Sequence, residues 1–298
     1  MTIQQIQYIL EVYRTGSISG AAANLFVAQP NLSNAIRSLE QDLGFALFLR
    51  TSRGVQPTEK GLAVLSQAGK IMEAYQRMRL VGRQSTSNRI RIGGFSYSPV
   101  CDSFVQLCSE MQDSSSLDFS ISDCSIQESV ERLYLSMLDI VIYMEHPQSS
   151  ELFAHQCSQR GLKVTKIADI PLVLRIGPHH PLYDAPEISL SDFGGYAFVD
   201  YENHIYQDYP NLNTVLSIDP ARVVTVTDRN TKNMLIMETD MYTIGCKLPP
   251  AANQRFRFRC IPLGDMHYCL NYIEREENER STLVQRYLDI LSASLEDL

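Results

Sequence analysis

The stretch from Ile18 to Leu43, ISGAAANLFVAQPNLSNAIRSLEQDL, constrains the chain most, because two helical patterns follow one another with only a few residues between them. The first, about residues 18–25, turns Ile18, Ala21, Ala22 and Leu25 inward. Three consecutive alanines mark a close helix crossing, since larger side chains would push the neighbouring helix outward. Pro30 suits the first turn of the second helix, where a missing N–H loses no partner. Leu32, Ala35/Ile36, Leu39 and Leu43 form that helix's buried stripe before Gly44 stops it. Upstream, Ile3, Ile6, Ile9/Leu10 and Tyr13 sit at helical spacing over residues 2–14; Gly16 ends that helix and Ser17 caps the next. Helix, tight turn, helix with small residues at the crossing is the helix-turn-helix pattern, whose second helix can enter a DNA major groove.

The second helix leaves Gln29, Asn31, Ser33, Asn34, Arg37 and Ser38 on its outer face. Amides and hydroxyls donate and accept at base edges, and arginine adds phosphate or guanine contacts. A solvated face on a three-helix bundle would carry the same residues, so the next segment decides. Phe45, Leu47 and Phe48 read as a short buried strand, and residues 50–57, RTSRGVQP, as a turn with Arg50 and Arg53 at its tip. A β-hairpin wing beside a recognition helix reaches the backbone or the minor groove, where arginine is the favoured probe. A long helix then runs from Thr58 to about residue 84, with Leu62, Leu65, Ala68/Gly69, Met72, Tyr75 and Met78 along one side. The same helix of a second copy is the natural cover for that stripe. Residues 82–88, GRQSTSN, read as a linker.

From Arg89 the pattern changes to short strands alternating with helices. Ile90–Gly93, Leu117–Ser122 and Asp139–Tyr143 read as buried strands, with helices over Val100–Met111 and Ile126–Met137. This order predicts a parallel sheet with helices on both faces. A second series begins near Lys163, with strands at Leu172–Ile176, Tyr196–Val199, Val223–Val226 and Tyr242–Cys246, and helices at 205–217, Thr231–Glu238 and Ser281–Leu298. Two sheet units in one chain predict two lobes and a cleft.

Charge separates the same two parts. The chain has a net charge of −8, yet residues 1–87 hold nine Lys/Arg against five Asp/Glu, a net of +4, and the remainder holds 17 against 29. A basic part joined to an acidic part points to one nucleic-acid-facing region and one unrelated region. The seven cysteines are odd in number, scattered and without a C-x-x-C pair, so they read as reduced and mostly buried; the dispersed histidines offer no metal-ligand spacing. The sequence has no apolar run of membrane-spanning length and no secretory pattern at its start, so a cytoplasmic protein without a membrane partner is expected. The motifs of nucleophile elbows, phosphate loops and H-E-x-x-H metal sites are missing, and neither an enzyme nor a cofactor is expected. A solute-binding protein remains a reading for the second part alone.

The first sixty residues resemble LysR-type transcriptional regulators. The resemblance is carried by Ile6–Ile9, Gly16–Ile18, Ala21–Leu25, Val27–Ser33, Ile36–Glu40, Leu43-Gly44, Leu47-Phe48, Arg50, Arg53–Val55 and Thr58–Gly61, in unbroken order. Farther on, Arg91–Gly93, Leu138–Ile142, Gly161-Leu162, Pro171–Leu174, His180–Leu182 and Ile188–Leu190 match the family more by layout. The resemblance implies an α/β chain: an N-terminal winged helix-turn-helix (1–58), a dimerisation linker helix and hinge (59–88), and a two-lobed periplasmic-binding-protein-like effector domain (89–298). Lobe I would hold 89–161 and 264–298 and lobe II 162–263, with crossings near 160–163 and 260–264. It also implies a double-stranded DNA operator, a small-molecule effector, a dimer of dimers and RNA polymerase as partners. The DNA contacts implied are Gln29, Pro30 and Ser33 on the recognition helix and Arg50 and Arg53 on the wing; the outer-face reading adds Asn31, Asn34 and Arg37. Two departures stand out: Ala28 where the family commonly has Ser, and Asn34 where it commonly has Arg.

In the family the effector sits between the lobes. Ser96, Tyr97 and Ser98, just before a predicted helix, would offer backbone N–H groups and a helix dipole to an anionic or strongly polar group, although N-capping alone explains the serines. Cys124 and Ser125, and Asp200, Tyr201 and Glu202, are the matching loops. If Asp200 or Glu202 points inward, an amine or polyol effector is favoured; if both point outward they are surface charges. Cys124 raises a redox-sensing alternative, but it has no basic neighbour or partner cysteine in the sequence.

Overall fold

The computed structural model describes residues 1–51, 54–80, 88–94, 97–114, 117–202, 212–276, 280–296 and 298. Two compact units are present: Met1–Ser87 with Arg132–Leu138, and Asn88–Glu131 with Asp139–Leu298.

The first unit is built on three helices and a hairpin. Helix α1 (Ile3–Thr15) starts in a capping box in which Thr2 and Gln5 satisfy each other's backbone, and ends on Gly16 in the left-handed region at φ 61. Helix α2 (Ile18–Asn24) is capped by Ser17, whose Oγ accepts the Gly20 N–H at 3.2 Å. Helix α3 (Gln29–Leu43) follows with Pro30 in its first turn. The helices meet on Ile6, Ile9, Val12, Ala21, Ala22, Leu32, Ile36 and Leu39, all buried. The inner face of α1 is rotated from the expected one: Tyr8 and Val12 are buried, while Ile3 and Tyr13 are only partly so.

Strands β1 (Phe48–Thr51) and β2 (Gly54–Pro57) pair antiparallel as the wing. Glu40 Oε1 accepts the N–H groups of Leu47 and Phe48, tying the wing to α3. Gly54, at φ +124, lies against Gly16, whose carbonyl accepts the Val55 N–H at 2.8 Å; a Cβ on Gly54 would fall 2.5 Å from that oxygen. Helix α4 (Glu59–Leu80) begins where Thr58 Oγ1 accepts the Gly61 N–H. Its first half buries Leu65 and Ala68, whereas Ile71 and Met78 farther along are exposed. The linker expected at 82–88 lies outside the described residues except for Asn88.

The second unit contains β3 (Arg89–Gly94), α5 (Ser98–Glu110), β4 (Asp118–Asp123), α6 (Ile126–Tyr134), whose last residues are counted with the first unit, and β5 (Ile140–Glu145). Then come α7 (Ser150–Ser158), β6 (Leu162–Ile176), β7 (Ala197–Tyr201), α8 (Leu212–Val215), β8 (Arg222–Val226), α9 (Arg229–Glu238), β9 (Tyr242–Cys246), α10 (Pro250–Phe256), β10 (Arg259–Arg275) and α11 (Thr282–Ala293). The expected helix at 205–217 falls mostly on residues outside the described set, with α8 its visible end. Helices α7 and α10 carry no strong sequence signal and were not anticipated.

The strand order is β4-β3-β5-β10-β6-β9-β7-β8 in one continuous sheet. Within each end the strands are parallel, β3 with β4 and β5, and β7 with β8 and β9. The sheet as a whole is mixed, because the long β6 and β10 run antiparallel to each other through its middle. The expectation of separate parallel units fails there for a physical reason. Only the last part of β6, from Ile170 onward in the run IPLVLRI, is mostly apolar and buried; its first half is half-buried to exposed and lacks the run that marks a buried strand. The expected crossings at 160–163 and 260–264 fall at the start of β6 and within β10, where the pairing register shifts between Pro262 and His267. Among the described residues no helix is long and apolar enough to cross a membrane.

Candidate functional site

In the first unit the sequence-predicted residues of α3 share one surface. Gln29, Pro30, Asn31, Asn34 and Arg37 are exposed along α3, and Ser33 is half-buried between them. The N-cap residue Ala28 gives no side-chain cap bond, but its carbonyl accepts the N–H groups of Asn31 and Leu32, and Pro30 has no N–H to satisfy. Phe26, in the turn between α2 and α3, holds φ 55 and is 96% exposed, an unusual position for a large apolar side chain. Arg50 lies in β1; its side chain, and Arg53 entirely, fall outside what is described. A helix presented by a tight alanine crossing, with amides and a guanidinium outward, has the chemistry to read base edges and bind phosphates.

In the second unit the chain positions a different kind of site. Strand β3 ends at Gly94, where φ is +116 and a Cβ would lie 1.9 Å from the Ile142 carbonyl; only glycine fits this close approach to β5. Arg91 fixes the start of the same pair of strands, its guanidinium binding both carboxylate oxygens of Asp139 while the Arg91 N–H donates to Asp139 Oδ2 at 2.8 Å. Just past β3, Tyr97 and Ser98 are buried, and Tyr97 Oη donates to the Lys247 carbonyl beyond β9. The N-cap of α5 is Tyr97, without a side-chain cap bond, so Ser98 is not a cap; its Oγ accepts from Arg229 Nη1 at 3.0 Å. The carboxyl end of β3 therefore meets the carboxyl ends of β8 and β9, the usual place for a ligand in an open α/β sheet.

Four of the eight predicted effector residues lie in this region. Besides Tyr97 and Ser98 they are Asp200, whose Oδ1 accepts the Tyr201 N–H at 2.8 Å, and Tyr201, whose phenol is pushed up to about 12 by burial. Ser125 Oγ accepts the Glu128 N–H as a cap for α6, Cys124 Sγ lies 3.1 Å from Ser129 Oγ, and Glu202 is exposed. Ser96 is outside the described residues.

Three cations that the sequence reading did not single out complete the region: Arg175 of β6, and Arg229 and Lys232 of α9. Lys232 is 5% exposed, with Nζ 4.2 Å over the Tyr201 ring. Burial pulls its ammonium down to about 7, against the attraction of Asp200 and with a further push from Arg175. Arg175 Nε is buried without a hydrogen-bond partner, and its guanidinium lies 5.8 Å over the Phe258 ring. Its positive charge acts on Tyr97, Tyr201, Lys232 and Cys246. One signal was available: Lys232 and Ile236 are four residues apart in a predicted helix, so a charge shares the face of a core residue.

The cysteines do not form a redox pair. All seven are free, and burial pushes Cys157 up to about 11 and Cys246 up to about 12, so both are thiols at neutral pH. Asp169, His267 and Cys269 bring ligand-type atoms within 4.8 Å of one another, but Lys166 already neutralises Asp169 at 2.7 Å.

Residues 3–62 match the family described as "Bacterial regulatory helix-turn-helix protein, lysR family". The regulator ClcR of Pseudomonas putida is 36% identical over 90 residues, 30% of this chain and 31% of its own length. The matched stretch spans about a third of the length of that relative and of GltR from Bacillus subtilis. YnfL of Escherichia coli K12, an uncharacterised HTH-type regulator, is 24% identical over 280 residues, 88% of each chain. The structure of CbnR, a LysR family transcriptional regulator, covers all of both chains at 21% identity and a TM-score of 0.58, and shows the fold to be shared. These relatives are regulators rather than enzymes. The family's helix-turn-helix profile therefore runs from α1 into α4, and the fold of the chain as a whole is similar to that of CbnR.

Proposed function

We propose that the chain is a DNA-binding transcriptional regulator that answers a small effector held where the carboxyl ends of β3, β8 and β9 meet. The observation that carries the DNA part is the exposed polar face of α3 on a region of net charge +4. CbnR has been solved in complex with its target DNA, and that structure shares this chain's fold at a TM-score of 0.55. Gln29, Asn31, Ser33 and Asn34 read base edges, Arg37 and the wing arginines Arg50 and Arg53 bind phosphates, and Pro30 sets the start of the helix.

The exposed Ile71 and Met78 on α4 support pairing with a second copy, which gives a dimer presenting two recognition helices. Assembly into a dimer of dimers in the cytoplasm, effector-driven change in the spacing of the DNA-binding units, and altered polymerase access follow as the regulatory mechanism. The hinge is the β6 and β10 pair, which among the described residues joins the two ends of the sheet. A mobility-shift assay on duplex DNA from upstream of the gene tests the reading. Retarded bands that disappear on Arg37→Ala support it; no shift at low salt contradicts it.

A further inference from the structure

The second unit contains a positive charge that its own fold leaves unanswered. Lys232 is 5% exposed, and among the described residues its ammonium makes no hydrogen bond or ion pair. A lysine without a partner in that position costs stability, because the charged form loses water and gains only a ring face and a more distant carboxylate. Arg175 is the second cation beside it, with Nε buried and unbonded. Arg229, one helical turn before Lys232, spends one guanidinium N–H on the neutral Ser98 hydroxyl. The uncapped start of the 13-residue α5 adds a third source of positive potential at Tyr97 and Ser98.

Among the described residues, Asp200 of β7, Arg175 of β6 and Cys246 of β9 act on Lys232, while Arg229 and Asp228 of its own helix and Asp123 of β4 act on Tyr201, over whose ring the ammonium lies. Asp200 already accepts the Tyr201 N–H and makes no ion pair with Lys232, and Asp228 is occupied as the N-cap of α9. Of the three acids near these three cations, Asp200 and Asp228 are already committed to backbone N–H groups and Asp123 acts on Tyr201, an arrangement that favours an anion over an amine.

We propose that the effector is an organic anion whose carboxylate, or a comparable oxyanion, pairs with Lys232 and Arg175 and takes Arg229 from Ser98. The inference rests on the reading of this point as the effector site and names the chemistry of what binds there. The anion completes an ion pair inside a dry site, where each charge-assisted bond is strong. Glu202, exposed, plays no part, and Asp200 acts as an excluder that raises the cost of a second negative charge at the Tyr201 side. Because an anion favours the charged lysine, binding above neutral pH draws in a proton, and affinity falls as pH rises.

The test uses the full-length protein and six defined probes at constant ionic strength: benzoate, succinate and inorganic phosphate against benzamide, succinamide and putrescine. The melting temperature is followed at about pH 8, with calorimetry in buffers of different ionisation enthalpy to count protons. The expected result is stabilisation by at least one carboxylate but not by its amide or by the diamine, with net proton uptake. Lys232→Met and Lys232→Gln, folded by circular dichroism, lose about tenfold or more in affinity and all of the proton uptake. Stabilisation by putrescine, equal carboxylate binding by the parent and both lysine variants, or no shift with any carboxylate overturns the proposal. A mobility shift on the upstream duplex, run on the same samples, separates the two readings. DNA binding without carboxylate binding defeats the anion proposal alone, whereas carboxylate binding at Lys232 without DNA binding supports the anion site and defeats the regulator reading.

Discussion

Helix α3 and helix α9 treat polar side chains in opposite ways. On α3, amides and Arg37 stand in water and the hydrophobic stripe of Leu32, Ile36 and Leu39 is continuous beneath them. On α9, the buried face itself carries Lys232 and Asn233 beside Ile236. An exposed polar face costs the fold nothing and binds by adding contacts to a large polyanion. A buried cation costs the fold stability until something of opposite charge arrives. The first arrangement suits constant readiness for DNA, and the second suits a response to a small molecule, because ligand binding relieves a penalty present only in its absence.

The largest expected effect is on the support of α3. Ala21→Leu places a branched side chain in a fully buried crossing and is expected to cost the first unit about 1–3 kcal/mol or more through overpacking. Urea unfolding checks this, and DNA binding is lost while any response of the second unit to carboxylates persists. If the two regions fail together, they are not the separate devices described above.

The next effect sharpens the contrast at α9. Lys232 is held at about 7 when folded against an ordinary value of 10.5, so the unfolded chain binds more protons between those values. Stability therefore rises as pH increases from about 7 toward 10.5, and the penalty is full below that window. Lys232→Met removes this contribution, so its denaturant midpoint exceeds the parent's near neutral pH and the difference shrinks as the medium becomes alkaline. A midpoint lower than the parent's at pH 7 would mean that the ammonium is well served in the fold.

These two regions also differ in how far they could be read in advance. Pro30, Gly44, Ser17 and the alanines of α2 act on neighbours a few residues away, and the structure places the helices, caps and exposed face of the first unit close to where those residues predict. The wing pairing follows from the same short range, although its arginine tip falls outside the described residues. In the second unit the short apolar strands β3, β5 and β9 were legible from their runs. The long β6 and β10 were not, because the first half of each is only half-buried to exposed and lacks a buried run. Nor was the cation site: Arg175, Arg229 and Lys232 come from β6 and α9, and meet Ser98 and Tyr97 only through pairing over distances such as the 131 residues between Arg229 and Ser98. Asp200 was legible as a loop acid but not in its role, since its sign of influence depends on the cations beside it.

A smaller effect concerns what α3 reads. Asn34→Arg adds a cation to the exposed face, and the slope of log affinity against log salt is expected to steepen by about one phosphate contact. Titrations at several salt concentrations measure it; an unchanged slope places residue 34 away from the backbone. The smallest is Ser17→Ala, which removes the α2 cap bond to Gly20 and costs about 1 kcal/mol in urea unfolding, with DNA contacts intact.

The most direct test of the account is fluorescence anisotropy of the full-length protein on two labelled duplexes, one from upstream of its gene and one of scrambled sequence, for the parent and for Gln29→Ala. The parent is expected to prefer the upstream duplex, and the variant to bind both alike while keeping the parent's circular dichroism and the salt dependence set by its phosphate contacts. A parent without preference, or a Gln29→Ala variant that keeps it, would contradict the claim that the outer face of α3 reads DNA.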